Sequence, residues 1–180
     1  PASLNRIAPA VFSGCYELEK IVVDGANPFY RVVNGALIDA KRKTLIAVNK
    51  FSVIPDDGSV KTIEKEAFSN TGLISLTVPS SVKEVSEGAF DACGALEELS
   101  FAEGVETVGK ICCRSLKRLE IPLSMVENLP KGYDDKLFSE CWELQDVYFA
   151  GTEEQWIRKD GQPVFVFGEN CTVHFKYGAS

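Results

Sequence analysis

The chain has 180 residues, with 19 Lys and Arg against 26 Asp and Glu, a formal charge of −7 and a pI of about 4.9. That balance supplies no electrostatic reason to bind a phosphate backbone or an anionic membrane face. A hydrophobic content of 45% with 25% charged residues excludes global disorder, and no apolar run reaches the roughly 18 residues of a membrane span.

Repetition organises everything that follows, and it starts at once. Pro1, Leu4, Ile7, Val11-Phe12, Cys15, Leu18, Ile21 and Val23 form the first copy of a spacing that recurs along the chain. Its opening residues lack the basic region and apolar stretch of a signal peptide, and its start at the Pro of an Ile-Pro step suggests a piece of a longer array. Residues 24–53 break the pattern. Asn34-Gly35 between apolar runs signals a type I′ hairpin, in which both central residues take positive φ. With Lys41-Arg42-Lys43-Thr44-Leu45-Ile46 beyond it, this stretch reads as a variant coil built from a β-meander.

The spacing returns in Ile54-Pro55, Val60, Ile63, Ala67-Phe68, Thr71, Leu73, Leu76 and Val78, and again from Val78-Pro79 through Ala89-Phe90, Cys93, Leu96, Leu99 and Phe101. Ala67 and Ala89 are 22 residues apart, and Val82 and Val105 are 23 apart, both within the period of leucine-rich repeats. Leu-x-x-Leu-x-Phe and Val-x-x-Val place apolar residues inward at alternate positions, as half-buried strands require. Ala-Phe-x-x-Cys has the spacing of a short helical turn, with the Phe expected to fill the space between two sheets. Two copies are degenerate. Val105, Val108, Cys113, Leu116, Leu119 and Ile121 lack the Ala-Phe pair, and Val126, Leu129, Leu137-Phe138, Cys141, Leu144, Val147 and Phe149 carry extra residues around Gly132-Tyr133-Asp134-Asp135. Insertions in a stacked-repeat fold lie in loops on one face, which makes this bulge a candidate contact point. From residue 150 the pattern changes. Thr152 caps a helix with Glu153 and Glu154 in its first turn, Trp156 is expected to pack inward, and Thr172-Val173-His174-Phe175 alternates like a strand.

Ile/Val-Pro-x-x-Val-x-x-Ile-x-x-x-Ala-Phe-x-x-Cys-x-x-Leu-x-x-Leu resembles the BspA-like leucine-rich repeat family over nearly the whole chain. Asn27-Pro28-Phe29 with Asn34-Gly35-Ala36-Leu37 resembles its variant repeat, and Tyr148-Phe149-Ala150-Gly151-Thr152-Glu153-Glu154-Gln155-Trp156 its closing motif. The fold expected is an α/β solenoid, a right-handed leucine-rich-repeat superhelix of short strands, short helical turns and a β-meander variant repeat. It spans residues 1–149 in about six coils, with 150–180 as a terminal cap of the same domain. The resemblance implies a non-enzymatic, adhesion-type protein-binding module of a bacterial surface or secreted protein. A carbohydrate-binding accessory module using exposed aromatics is the alternative, and no cofactor is expected.

The six cysteines allow a disulfide framework. However, Cys15, Cys93, Cys113 and Cys141 share one inward slot, where free thiols are the expectation, while Cys112 stands apart. Paired Cys-x-x-Cys spacing for zinc is absent. Asp56-Asp57-Gly58 and Asp134-Asp135 read as turn formers rather than calcium ligands. The one histidine, His174, is expected in a strand and not in a catalytic arrangement. The candidate site is therefore a surface. Outward positions of successive strands form two ladders, Lys20, Ser75, Glu98, Arg118 and Asp146 in one, and Val22, Thr77, Ser100, Glu120 and Tyr148 in the other. Tyr133, Trp142 and Tyr148 are the aromatic candidates for partner contact, because interfaces are enriched in such residues.

Overall fold

The structure, a computed structural model, describes residues 1–8, 10–15, 17–130 and 135–176. Three strands open the regular part: β1 (Tyr30–Val33), β2 (Ala36–Asp39) and β3 (Thr44–Ala47), joined antiparallel as the expected meander. Asn34 and Gly35 take φ of 49° and 80° between β1 and β2, the positive pair that a type I′ turn demands.

From β3 onward the chain alternates between two sheets. Two-residue strands β4 (Thr62–Ile63), β6 (Glu84–Val85) and β8 (Thr107–Val108) extend the meander in parallel, in the order β1-β2-β3-β4-β6-β8. Four-residue strands β5 (Ser75–Val78), β7 (Glu98–Phe101), β9 (Arg118–Ile121), β10 (Asp146–Phe149) and β11 (Thr172–Phe175) form a second, wholly parallel sheet. The three copies between 54 and 121 each contribute one strand to each wall, and the following copy adds β10 alone, so neighbouring copies complete one another's backbone hydrogen bonding.

Between the walls lies a continuous core. Phe68 and Phe90 stack at 4.9 Å between ring centroids, and Phe101 meets Phe90 edge-on at 6.4 Å. In the copy that lacks Ala-Phe, Ile111 takes the aromatic slot. It is fully buried, and its N–H donates to the Leu137 carbonyl of the next copy, as that of Phe68 donates to Ala89. The cysteine slot also links copies, since Cys93 Sγ donates to the Phe68 carbonyl at 3.2 Å and Cys141 Sγ contacts that of Ile111 at 3.6 Å.

Three expectations need correction. The Ala-Phe-x-x-Cys segments are not helical but are successive tight turns, closed by i→i−3 bonds such as Thr71 N to Phe68 O. Left-handed residues on either side, Glu66 at φ 59° and Asn70 at 56°, stop any helix from propagating. Helix forms elsewhere, as α1 (Leu123–Glu127), a 3₁₀ turn over Asp135–Phe138 and α2 (Glu153–Trp156). The first copy forms no strand, and Cys15 is exposed instead of facing the core. Its Ile7, Phe12, Ile21 and Val23 pack half-buried on a separate small cluster under the meander, around Tyr30 and Leu37. It is held there by side-chain bonds, with Tyr30 Oη accepting from Ile7 N–H and Asn27 Nδ2 donating to the Pro1 and Leu4 carbonyls. Lys20 consequently lies outside both sheets.

The chain end behaves as its residues predict up to α2. Thr152 and Gln155 form a reciprocal capping box, and Trp156 is buried among Phe149, Phe165, Phe167 and Phe175. Among the described residues no helix is long and apolar enough to cross a membrane.

Candidate interaction surface

Strand register decides which outward side chains meet. In the parallel sheet Ser75, Glu98, Arg118, Asp146 and Thr172 are in line, and beside them Thr77, Ser100, Glu120, Tyr148 and His174. Eight of the expected ladder residues therefore stand side by side, all at least partly exposed. Lys20 is exposed but outside the strand ladder, and Tyr133 lies outside the described residues.

The strand β11 adds two members that the sequence reading left out, Thr172 and His174. Val173-x-Phe175 repeats Val147-x-Phe149, which was the available signal. A further rung was also missed. Asp56 accepts from Ser80 and Ser81 and the Pro55 carbonyl from Ser81, which ties the chain just after 51–54 to the chain just after β5. Phe51 and Val53 are exposed while Ser52 and Ile54 are buried, so this segment presents an alternating rung although it makes no strand. Sliding Ile54-Pro55 onto Val78-Pro79 places Phe51 at the Ser75 position and Val53 at that of Thr77.

At the other end, three side chains form a column. The Arg118 guanidinium lies 3.8 Å from the Tyr148 ring centroid, and the His174 ring stacks on Tyr148 at 4.5 Å and 15°. Carboxylates brace this column, with Glu120 Oε1 accepting from Arg118 at 2.6 Å and Asp146 Oδ1 at 2.6 Å from His174 Nε2. The Glu120 hydrogen bond raises the Arg118 guanidinium further above its ordinary value. With one ring neighbour a cation and the other an aromatic, the phenol of Tyr148 offers its edge and hydroxyl rather than a ring face. Trp142 differs: it is 68% exposed, with Arg114 over its ring at 4.8 Å and its indole N–H donated to Ser139 O.

A groove of about 500 Å³ opens beside the column, where β7, β9, β10 and β11 end. Glu103, Glu120, Tyr148, His174 and Lys176 give it polar walls, and Phe101, Ile121, Phe149 and Phe175 an apolar base. Glu103 also caps α1 from the preceding copy, accepting from Leu123 and Ser124 N–H at 3.1 and 2.9 Å. This lining contains no Ser, Thr or Cys. The Asp146 carboxylate orients the His174 ring against Tyr148, with Thr172 in register beside Asp146.

Chemistry elsewhere is quiet. Cys113 is pushed up by its hydrogen bond with Cys93 and by burial, and burial pushes Cys141 to about 12 and Cys171 to about 11. Such thiols stay protonated and unreactive. Asp57 accepts from the Ser59 N–H two residues on, as a turn former does, whereas Asp56 accepts from the Ser81 N–H of the next copy. Among the described residues no group of three His, Cys, Asp or Glu is arranged to hold a metal. The pair Asp134-Asp135 lies at the edge of the undescribed segment.

Residues 47–159 match, in 6 copies, the family model described as the BspA type leucine rich repeat region. Among solved structures, the chain is similar to a leucine-rich repeat protein from Eubacterium ventriosum ATCC 27560. The TM-score is 0.66 and the identity 23%, over 99% of this chain and 47% of that one. The chain therefore spans about half the length of that protein, and the likeness bears on fold alone. No curated protein matches the chain.

Proposed function

The chain belongs to the BspA-type leucine-rich repeat family, and from that premise we propose that it is a non-enzymatic module binding a protein partner through the outward face of its five-stranded sheet. The observation that carries this reading is the unbroken parallel register from β5 to β11, which lines up outward side chains from repeats distant in sequence. A row of equivalent rungs offers one long surface, suited to gripping an extended partner. The residues proposed to meet it are Ser75, Thr77, Glu98, Ser100, Arg118, Glu120, Asp146 and Tyr148, with Lys20, Tyr133 and Trp142 as further candidates.

The same proposal takes residues 1–149 as a right-handed solenoid and 150–180 as its cap. It places the module in a bacterial protein that is secreted or displayed at the cell surface, where it serves adhesion, with a host extracellular or surface protein as the partner. Family membership supports the location and role, and the alternation of strands between two sheets supports the solenoid. A carbohydrate-binding reading rests on Trp142, the exposed indole, since Tyr148 is stacked on Arg118 and His174.

The test is photo-crosslinking. A crosslinker at Thr77 or Ser100 on the outward face should capture the partner, and one at the exposed Glu84 of the other sheet should not. Equal capture from both sheets, or capture from Glu84 alone, refutes the assignment of the face.

A further inference from the structure

The outward face is not uniform along its length. Before β5, Phe51 and Val53 are exposed by 71% and 63%, and Asn49, two residues ahead of Phe51, donates to the Glu19 carbonyl at 2.9 Å, which brings the segment carrying exposed Val22 near them. Single exposed apolar residues are ordinary, but several at neighbouring positions on one face form a patch of the kind that marks contact sites. Lys20 is exposed beside Val22 in the chain, and the Lys50 ammonium sits 5.2 Å from the Phe51 ring centroid. The middle is small and polar: Ser75, Thr77 and Ser100. At the far end Glu120 and Asp146 stand with Arg118, beside the groove that Glu103 and Lys176 also wall, and Glu98 lies on the same rung as Ser100.

We infer that this face is polarised and that its partner is an extended protein segment, apolar where it crosses Phe51 and Val53 and basic where it reaches the groove beside Tyr148 and His174. This deepens the proposed function and rests on it. Charge complementarity chooses the basic end, because carboxylates outnumber cations there. A Lys or Arg side chain suits the groove chemically, its aliphatic stem against Ile121 and Phe149 and its charge toward Glu103 and Glu120. The Lys50 ammonium beside Phe51 repels that same basic group, so the reversed orientation is disfavoured as well as the correct one favoured. Length is set by the stack: five steps separate the Phe51 rung from the His174 rung, about 24 Å at about 4.8 Å per rung, or about seven residues of extended chain.

The experiment uses the full chain and a synthetic nine-residue peptide with Val and Leu in one half and Lys and Arg in the other. Controls are a scrambled peptide and one with Glu replacing the basic residues, all followed by fluorescence anisotropy. The ordered peptide should bind, and scrambling or charge reversal should weaken it by about tenfold or more, given the apolar area and charges misplaced. Phe51→Ser with Val53→Thr, both at exposed positions, should cost a similar factor without changing the melting curve. Glu98→Gln with Glu120→Gln should weaken the salt dependence. A nitroxide on the basic end should broaden the NMR signals of Tyr148 and His174, and one on the apolar end those of Phe51 and Val53. Labels that broaden the face without this order overturn the polarity alone, and binding with no broadening on this face overturns the proposed function itself. Tighter binding of the acidic peptide, or of a neutral oligosaccharide whose binding His174→Ala removes, overturns the basic-segment assignment.

Discussion

Truncating Phe90 is the sharpest test of the stacked core. Its ring is 1% exposed, stacked on Phe68 at 4.9 Å and met edge-on by Phe101 at 6.4 Å. Losing a buried phenyl removes roughly 1.5–3 kcal/mol of burial, and each aromatic pair adds about 0.5–1.5 kcal/mol. The expected cost of Phe90→Ala is therefore about 3–5 kcal/mol, the range for core Phe truncation. Urea melts followed by circular dichroism read it directly. Because Phe68 contacts Phe90, the double variant with Phe68→Ala should be non-additive by about 1 kcal/mol. Phe12, which packs half-buried in the separate cluster beneath the meander, should cost less and combine additively with Phe90. A loss below about 1 kcal/mol for Phe90→Ala, or coupling of Phe12 to Phe90 as strong as that of Phe68, would refute the single continuous core between two walls.

Other perturbations probe smaller parts. Gly109→Ala should destabilise by about 1–3 kcal/mol, since a Cβ there would meet the Glu87 backbone at 2.3 and 2.4 Å, and an unchanged melting temperature would contradict that close approach. Glu103→Ala should cost about 1 kcal/mol by uncapping α1 and should speed amide exchange at Ser124; unchanged exchange would mean the cap is idle. For Asp39, burial pushes the carboxyl up, but hydrogen bonds from the Arg42 backbone and guanidinium, with its charge, hold it below the ordinary 3.8. A lowered folded value means that its stabilisation is complete above 3.8 and is lost as pH falls through that lowered value. Asp39→Asn should therefore flatten the acid limb of the stability profile below that pH. An identical limb in both proteins would exclude Asp39 as a contributor.

Much of the fold was legible in advance for a local reason. Inward and outward alternation, the Asn34-Gly35 turn and the Thr152 capping box depend on residues within a few positions of one another, so spacing alone displays them. The turns were misjudged for a local reason too: Ala-Phe-x-x-Cys has helical spacing, but positive φ at Glu66 and Asn70 is invisible in that pattern. Cys15 was misplaced because sharing a repeat slot does not guarantee a neighbour to be buried against.

The amino-acid order by itself determined that the chain is built of repeats, which side chains of each repeat turn inward, and that Ser75, Glu98, Arg118 and Asp146 hold equivalent places. Only the tertiary structure decided what those places touch. His174 meets Asp146 and Tyr148 from 28 and 26 residues away, and Glu103 caps a helix 20 residues on. Insertions of unequal length between rungs leave such pairings unspecified until the backbone ladder brings the rungs into register. Phe51 and Val53 show the converse, exposed at alternate positions without any strand, with Ser52 and Ile54 buried between and beyond them.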